Sequence, residues 1–183
     1  MRTTTDEVAK KAVQAALSAG ADDAEAYASE EAKREVRAHG GEIESLSAAT
    51  QRGVGVRAWI GERVGYGFGT DVSPTGVAAI ATRAVEAARV ADPDRFAAPP
   101  SAGGEAVEIA GLSDPTLAGW PTPRVAELAL AVERAGLGFD RRIVAVEQAV
   151  YVDSSERVGI ASSSGAGGEF ESSSCYAYAQ ALA

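Results

Sequence analysis

The stretch Gly53 to Gly69, GVGVRAWIGERVGYGFG, decides the fold. Val54, Val56, Ala58 and Ile60 recur with period two, the repeat of a strand with one face buried. Gly61-Glu62 stands where a two-residue hairpin turn belongs, and beyond it Gly65, Gly67 and Gly69 alternate with Val64, Tyr66 and Phe68. Folding the two halves together across that turn sets the three glycines beside Val54, Val56 and Ala58. A strand that is bare on one face leaves room for another backbone, which predicts a helix lying against it. The opposite face gathers Arg57, Trp59, Val64, Tyr66 and Phe68, too aromatic to stand in water, so a second layer or a partner subunit is expected there.

Upstream the period of two continues. Strands are expected near 24–30, 33–39, 43–49, 53–60 and 63–70, with Gly40-Gly41 as another tight turn. Before them, residues 5–20 carry Val8, Ala12, Val13, Ala16 and Leu17 at helical spacing, with Thr5 as cap and Asp6 and Glu7 at the positive end of the dipole. After them, Ser73-Pro74 starts a helix whose apolar residues, Val77, Ile80, Ala81, Ala84, Val85 and Ala88, run to Asp92-Pro93. Pro93 to Pro123 holds six of the seven prolines and reads as an irregular connection with one short strand at Ala106–Ile109. Thr122-Pro123 opens a third helix through Val125, Leu128, Ala129, Val132 and Ala135 to Gly136 and Gly138. Strands follow at Ile143–Val152, Val158–Ser163 and Phe170–Ala183, separated by a turn at Asp153–Glu156 and a loop at Gly165–Gly168.

The expected class is therefore α+β, with helices packed on antiparallel sheets: helix, meander, helix, then a helix and a three-stranded antiparallel unit. Residues 1–92 form the first unit, 93–121 the connection and 122–183 the start of the next. Because CYAYAQALA ends the chain inside a strand pattern, the natural polypeptide is expected to continue past Ala183.

Chemistry is limited by composition. The 183 residues include one histidine, His39, and one cysteine, Cys175, so neither an intrachain disulfide nor a thiolate zinc cluster can be assembled. A net charge of −9 disfavours a nucleic-acid partner, which needs clustered Lys and Arg. No run approaches the roughly 18 apolar residues of a membrane span, and the N-terminus lacks a signal-peptide core, so a cytoplasmic protein is expected. The glycines of Gly65–Gly69 alternate within a strand rather than opening a helix, which argues against a phosphate loop. Ser162–Ser164 and Ser172–Ser174 lack a nucleophile elbow and have only His39 as a base, and a Cys175–His39 dyad is as poorly founded. A small hydrolase built on His39 is the least favoured reading. Glu42, Glu44, Glu147, Asp153 and Glu156 read as a solvated acidic surface, although an acid-base pair or an oxygen-ligand metal site of these groups stays open. Glu147, among apolar residues, would need Arg57 or Arg142 if buried.

Read in order, GADDAEAYASEE, GGEIESLSAATQRGVGVRAWIGERVGYGFGTDVSP, ADPDRFA and VEQAVYVDSSERVGIASSSGAGGEFESSSCYAYAQALA resemble the N-terminal part of the TldD/PmbA family, also called modulators of DNA gyrase. The most specific pieces are Gly20-Ala21-Asp22 with Glu25, Glu42 to Ser45, Gly53 to Arg57, and Ser162 to Gly165. The resemblance implies a cytosolic zinc metallopeptidase in which the TldD-type subunit binds metal through a His-Glu-x-x-x-His helix and a downstream cysteine. It implies a homodimer or a heterodimer with a related subunit, acting on unfolded or leader peptides. This chain matches none of that motif, so no catalytic, cofactor-binding or metal-binding residue is assigned to it, and zinc is expected only in the parent assembly. The Asp92-Pro93 and Glu42–Ser45 segments look more like the PmbA (TldE) side. The reading is a non-catalytic structural and dimerising domain. The alternative is a free-standing acidic module that recruits a partner through a strand edge.

Overall fold

A computed structural model describes residues 3–101 and 109–183. Along the chain run α1 (Thr5–Ser18), β1 (Asp23–His39), β2 (Glu42–Ile60), β3 (Arg63–Gly69), α2 (Pro74–Val90), a 3-10 turn at Leu117–Gly119, α3 (Thr122–Phe139), β4 (Ala145–Ser162) and β5 (Gly167–Leu182). The strands form an antiparallel sheet in the order β3-β2-β1-β4-β5, and the class is α+β as the periodicity predicts.

The strands are fewer and longer than expected. The strands predicted at 24–30 and 33–39 are one, as are those at 43–49 and 53–60, and those at 143–152 and 158–163. Alternation reports burial on one face, and it fades where neither face is buried, as at residues 29–33 and 42–52. The hydrogen-bonded ladder continues through such places regardless. The turn expected at Asp153–Glu156 is thus the middle of β4, and the three-stranded unit expected at the end is two long strands. The short strand expected at Ala106–Ile109 falls on a stretch of which residues 102–108 lie outside those described.

The chain divides into two compact units, one of Met1–Glu30, Gln51–Ile109 and Arg157–Glu171, the other of Glu31–Thr50, Ala110–Glu156 and Ser172–Ala183. In the first, α1 and α2 pack together and α2 packs on β3. Its core joins Val8, Ala12, Val13 and Ala16 of α1, Ala24, Ala26 and Ala28 of β1, Val54, Val56 and Ala58 of β2, and Val77, Ile80, Ala81, Ala84 and Val85 of α2. Burying each of Val77, Ile80 and Val85 contributes about 1.5–3 kcal/mol. The cap of α1 is one residue earlier than expected. Thr4 and Glu7 form a reciprocal capping box, while Thr5 is buried and donates from its hydroxyl to Glu169 at 2.7 Å. Ser73 caps α2 with Pro74 as its first residue, as predicted. In α3, by contrast, Thr122 is already helical and Pro121 precedes it without a side-chain cap.

The glycine-lined hairpin is as its sequence predicts. Val54 faces Gly69, Val56 faces Gly67 and Ala58 faces Gly65. A Cβ on Gly65 would lie 2.1 Å from the Ala84 carbonyl oxygen and one on Gly67 2.3 Å from that of Ile80, so α2 rests on bare backbone. The turn residue Gly61 has φ of 56°, the left-handed region that glycine enters without strain.

In the second unit α3 covers a smaller core of Val36, Ala38, Val125, Ala129, Val146, Ala149 and Tyr151. Glu133 of α3 is 2% exposed and accepts a hydrogen bond of 3.0 Å from the Gly41 N–H in the β1–β2 turn. A helix side chain thereby closes a hairpin.

Candidate functional site

The polar centre of the second unit is Arg34 on β1 and Asp153 on β4. Their side chains are 15% and 9% exposed. The Arg34 Nε and Nη2 both donate to the Asp153 carboxylate, Nη2 at 2.6 Å, and Nη1 donates to the Trp120 carbonyl at 2.7 Å. The planar guanidinium fork therefore joins two strands and the chain just after the 3-10 turn. Arg124 lies over the Trp120 ring, 3.7 Å from its centroid. Beside the pair opens a hollow of about 270 Å³ lined by Arg34, Asp153, Thr50, Ser154, Ser155 and Leu117, among others.

Tyr151 is 4% exposed, and among the described residues no group meets its hydroxyl at full hydrogen-bond distance and angle, the Asp153 carboxylate being the polar group beside it. Burial first, and the neighbouring Asp153 second, push this phenol up to about 12. It stays protonated at neutral pH and is no base. Arg34 and Asp153 occupy each other, so the centre offers a joint between strands rather than a free acid, base or nucleophile.

The residues singled out in the sequence are spread out. Glu147 is exposed and accepts from the Gln180 amide at 2.8 Å. Neither arginine expected for it takes that role: Arg57 lies 3.7 Å from Glu25, and Arg142 pairs with Asp140 at 3.0 Å. Glu42 and Glu44 are exposed on β2, and Glu156 is half-buried on β4. Asp153, expected in a turn, is the buried carboxylate. His39 is exposed at the end of β1, Cys175 is exposed on β5, and no hydrogen bond joins His39 to Cys175 or to Ser172–Ser174 among the described residues. In the other serine run, Ser163 donates to Asp23 at 2.8 Å and accepts from the Ala24 N–H at 3.1 Å, and Ser162 donates to the Ala166 carbonyl at 2.8 Å. Both serines hold a strand end.

Sequence reasoning missed Arg34, Tyr151 and Glu133. Arg34 and Asp153 are 119 positions apart, and only strand pairing joins them. Glu133 carried a usable signal, since it falls on the face of α3 that also holds Val125 and Ala129.

Among the described residues no three His, Cys, Asp or Glu side chains converge on a point where a metal could sit. This donor set does not fit a zinc centre, which takes three or four such ligands. No helix is long and apolar enough to cross a membrane among the described residues.

A family model described as PmbA/TldA metallopeptidase domain 1 matches residues 24–88, and one described as PmbA/TldA metallopeptidase central domain matches residues 115–183. These are two successive domains of a metallopeptidase family. The chain belongs to the PmbA/TldD family. No curated protein sequence matches it. Among solved structures it is similar to a protein of Bacteroides thetaiotaomicron described as a candidate modulator of DNA gyrase (TM-score 0.80, 21% identity, 94% of this chain and 40% of that one). It is similar to TldE from Thermococcus kodakarensis (0.80, 16%, 95% and 39%) and to a candidate gyrase modulator of Thermotoga maritima (0.77, 16%, 98% and 40%). At these identities the likeness concerns the fold. The chain spans about two fifths of the length of these structures.

Proposed function

We propose that this chain is a structural and dimerising N-terminal portion of a PmbA/TldD-type metallopeptidase, of the PmbA (TldE) subunit type, and contributes no catalytic group to the proteolysis of unfolded or leader peptides. The observation that supports this most directly is the match to domain 1 and the central domain of a metallopeptidase family in a chain that carries one histidine and one cysteine. In this reading zinc, the peptide substrate and the partner subunit, identical or related, belong to the parent assembly in the cytoplasm. The Arg34–Asp153 joint and the bare glycine face keep the long strands in register so that the rest of the polypeptide can be built on them. Residues 1–92, 93–121 and 122–183 remain the proposed working division of the chain.

Metal analysis of the purified chain is expected to find far less than one equivalent of zinc, with no cleavage of an unfolded peptide. One tightly held zinc per chain refutes the proposal. A His-Glu-x-x-x-His helix elsewhere in the parent polypeptide would make it the TldD-type subunit instead.

A second reading is an acidic module that recruits a partner by strand addition. It draws on β5, an edge strand whose residues are mostly exposed, with Tyr176 and Tyr178 stacked at 6.5 Å on one face. A parent polypeptide without further domains of this family would favour it.

A further inference from the structure

β2 is flanked by β3 over only part of its length. The register between them runs from Val54 opposite Gly69 to Ile60 opposite Arg63. Residues 42–50, which belong to the second unit, therefore have β1 on one side and, among the described residues, no strand on the other. Every residue from Glu42 to Arg52 is exposed. The two-residue turn at Gly40-Gly41, with φ of 64° and 82°, fixes which backbone groups are left over. It turns the N–H and C=O of Glu42, Glu44, Leu46 and Ala48 towards β1, and those of Ile43, Ser45, Ser47 and Ala49 towards the open edge. Edge strands are ordinarily blunted by proline, by lysine or by a covering segment. Residues 45–50 carry neither charge nor proline. The far edge of the sheet, on β5, is by contrast covered at Ser173, whose N–H donates to the Leu112 carbonyl at 3.0 Å and whose hydroxyl accepts from the Asp114 N–H at 2.8 Å.

We propose that the free edge of β2 from Ile43 to Ala49 takes up an extended strand of another polypeptide, antiparallel to β2 and basic where it passes Glu42 and Glu44. The outward N–H and C=O groups are the complement of a strand's own, and main-chain bonds of this kind carry affinity whatever the sequence. The antiparallel sense is the one in which β3 pairs with β2 further along. Charge sets which end of the added strand is basic. Glu42 and Glu44 are exposed, and neither forms an ion pair among the described residues. Arg37, the cation nearest Glu44, is already held by Glu35 at 2.8 Å. A chain of net charge −9 favours a basic partner in the same direction and speeds its approach. Ile43 and Leu46 are exposed and, three positions apart on a strand, point to opposite faces. Apolar residues passing them therefore form cross-strand pairs on both faces.

The probe is the end-blocked synthetic peptide Thr-Thr-Val-Thr-Val-Thr-Lys-Val-Lys. Laid antiparallel from Thr50 to Glu42, it sets valines beside Ala48, Leu46 and Ile43 and lysines beside Glu44 and Glu42. At low salt, millimolar peptide is expected to slow hydrogen exchange at the Ile43, Ser45, Ser47 and Ala49 amides severalfold and saturably, with little change at Glu42, Glu44, Leu46 and Ala48. That alternation is the mark of an added strand, and binding to a sheet face does not produce it. Glu44→Lys should weaken binding about fivefold, and the same variant should prefer a peptide with its lysines changed to glutamate. Ser47→Pro removes an outward N–H on an edge, where proline is tolerated, so the variant should keep its circular dichroism and lose binding. Several results overturn the inference: no saturable protection, protection without the alternation, undiminished binding by folded Ser47→Pro, or a charge preference that Glu44→Lys does not change. Protection of the same amides that grows with protein concentration in the absence of peptide would assign the edge to a second copy and overturn it as well.

Discussion

Replacing Gly65 by alanine adds one methyl group, and the structure says where it must go. The new Cβ would stand 2.1 Å from the Ala84 carbonyl oxygen, 2.2 Å from the Ala88 nitrogen and 2.8 Å from the Ala87 carbonyl carbon, all backbone atoms of α2. No rotamer relieves a contact with backbone. To restore even the 3.4 Å edge of ordinary contact, α2 and β3 must part by more than 1 Å. A radial gap of that size forfeits about half or more of each dispersion contact along the interface. Overpacking of this kind costs typically about 1–3 kcal/mol, and the backbone contact places Gly65→Ala at the upper end, about 3 kcal/mol. For a chain of this size that lowers Tm by about 6–12 °C. The control is Gly55→Ala on β2, where a Cβ meets nothing within 4 Å and the change should be within about 0.5 kcal/mol of neutral. Urea or thermal unfolding of both variants, followed by circular dichroism, decides the matter. Equal stability of the two refutes the idea that α2 depends on a bare strand.

Removing one partner of the Arg34–Asp153 joint, as in Asp153→Ala, should cost about 3–5 kcal/mol, whereas a paired Arg34→Met, Asp153→Leu replacement should recover most of it; a double-mutant unfolding cycle measures the difference. Tyr151 gives a pH dependence. Its folded-state value of about 12 lies above the ordinary 10, so the neutral phenol stabilises the fold below pH 10 and that contribution is lost as pH rises from 10 towards 12. Tyr151→Phe removes a buried hydroxyl beside Asp153, should change stability at pH 7 by no more than about 1 kcal/mol, and should flatten the decline above pH 10 in unfolding curves. Glu133→Ala should cost about 1–3 kcal/mol by orphaning the Gly41 N–H, while Glu133→Gln, which still offers an oxygen, should lose less. Exchange of the Gly41 amide reads the effect directly.

Local patterns were legible wherever one physical cause acts on neighbouring residues. The hairpin from Gly53 to Gly69 could be read because alternation, a two-residue turn and alternating glycines agree, and its register follows from the turn. Ser73-Pro74 announced α2 because the cap and the fixed φ of proline act within one turn of helix. The candidate centre was much less readable. Asp153 sits in DSSE, a polar run that reads as a turn, and only Arg34, from a different strand, makes it a buried strand residue. Glu147 misled in the other direction, since apolar neighbours suggested burial but its own place on β4 is exposed.

The sequence by itself determined the α+β class, the helices, the tight turns and the helix-bearing glycine face, because each depends on interactions a few residues apart or on period. It also carried the family resemblance, which rests on the same structural residues. Only the tertiary structure decided that short predicted strands are long continuous ones, that Arg34 meets Asp153, that Glu133 closes the β1–β2 turn, and that the Ala97 carbonyl returns to accept a hydrogen bond from the Trp59 indole. Those outcomes depend on which strands and segments lie side by side, and a backbone ladder or a charge pair formed at long sequence separation leaves no periodic trace in either segment alone.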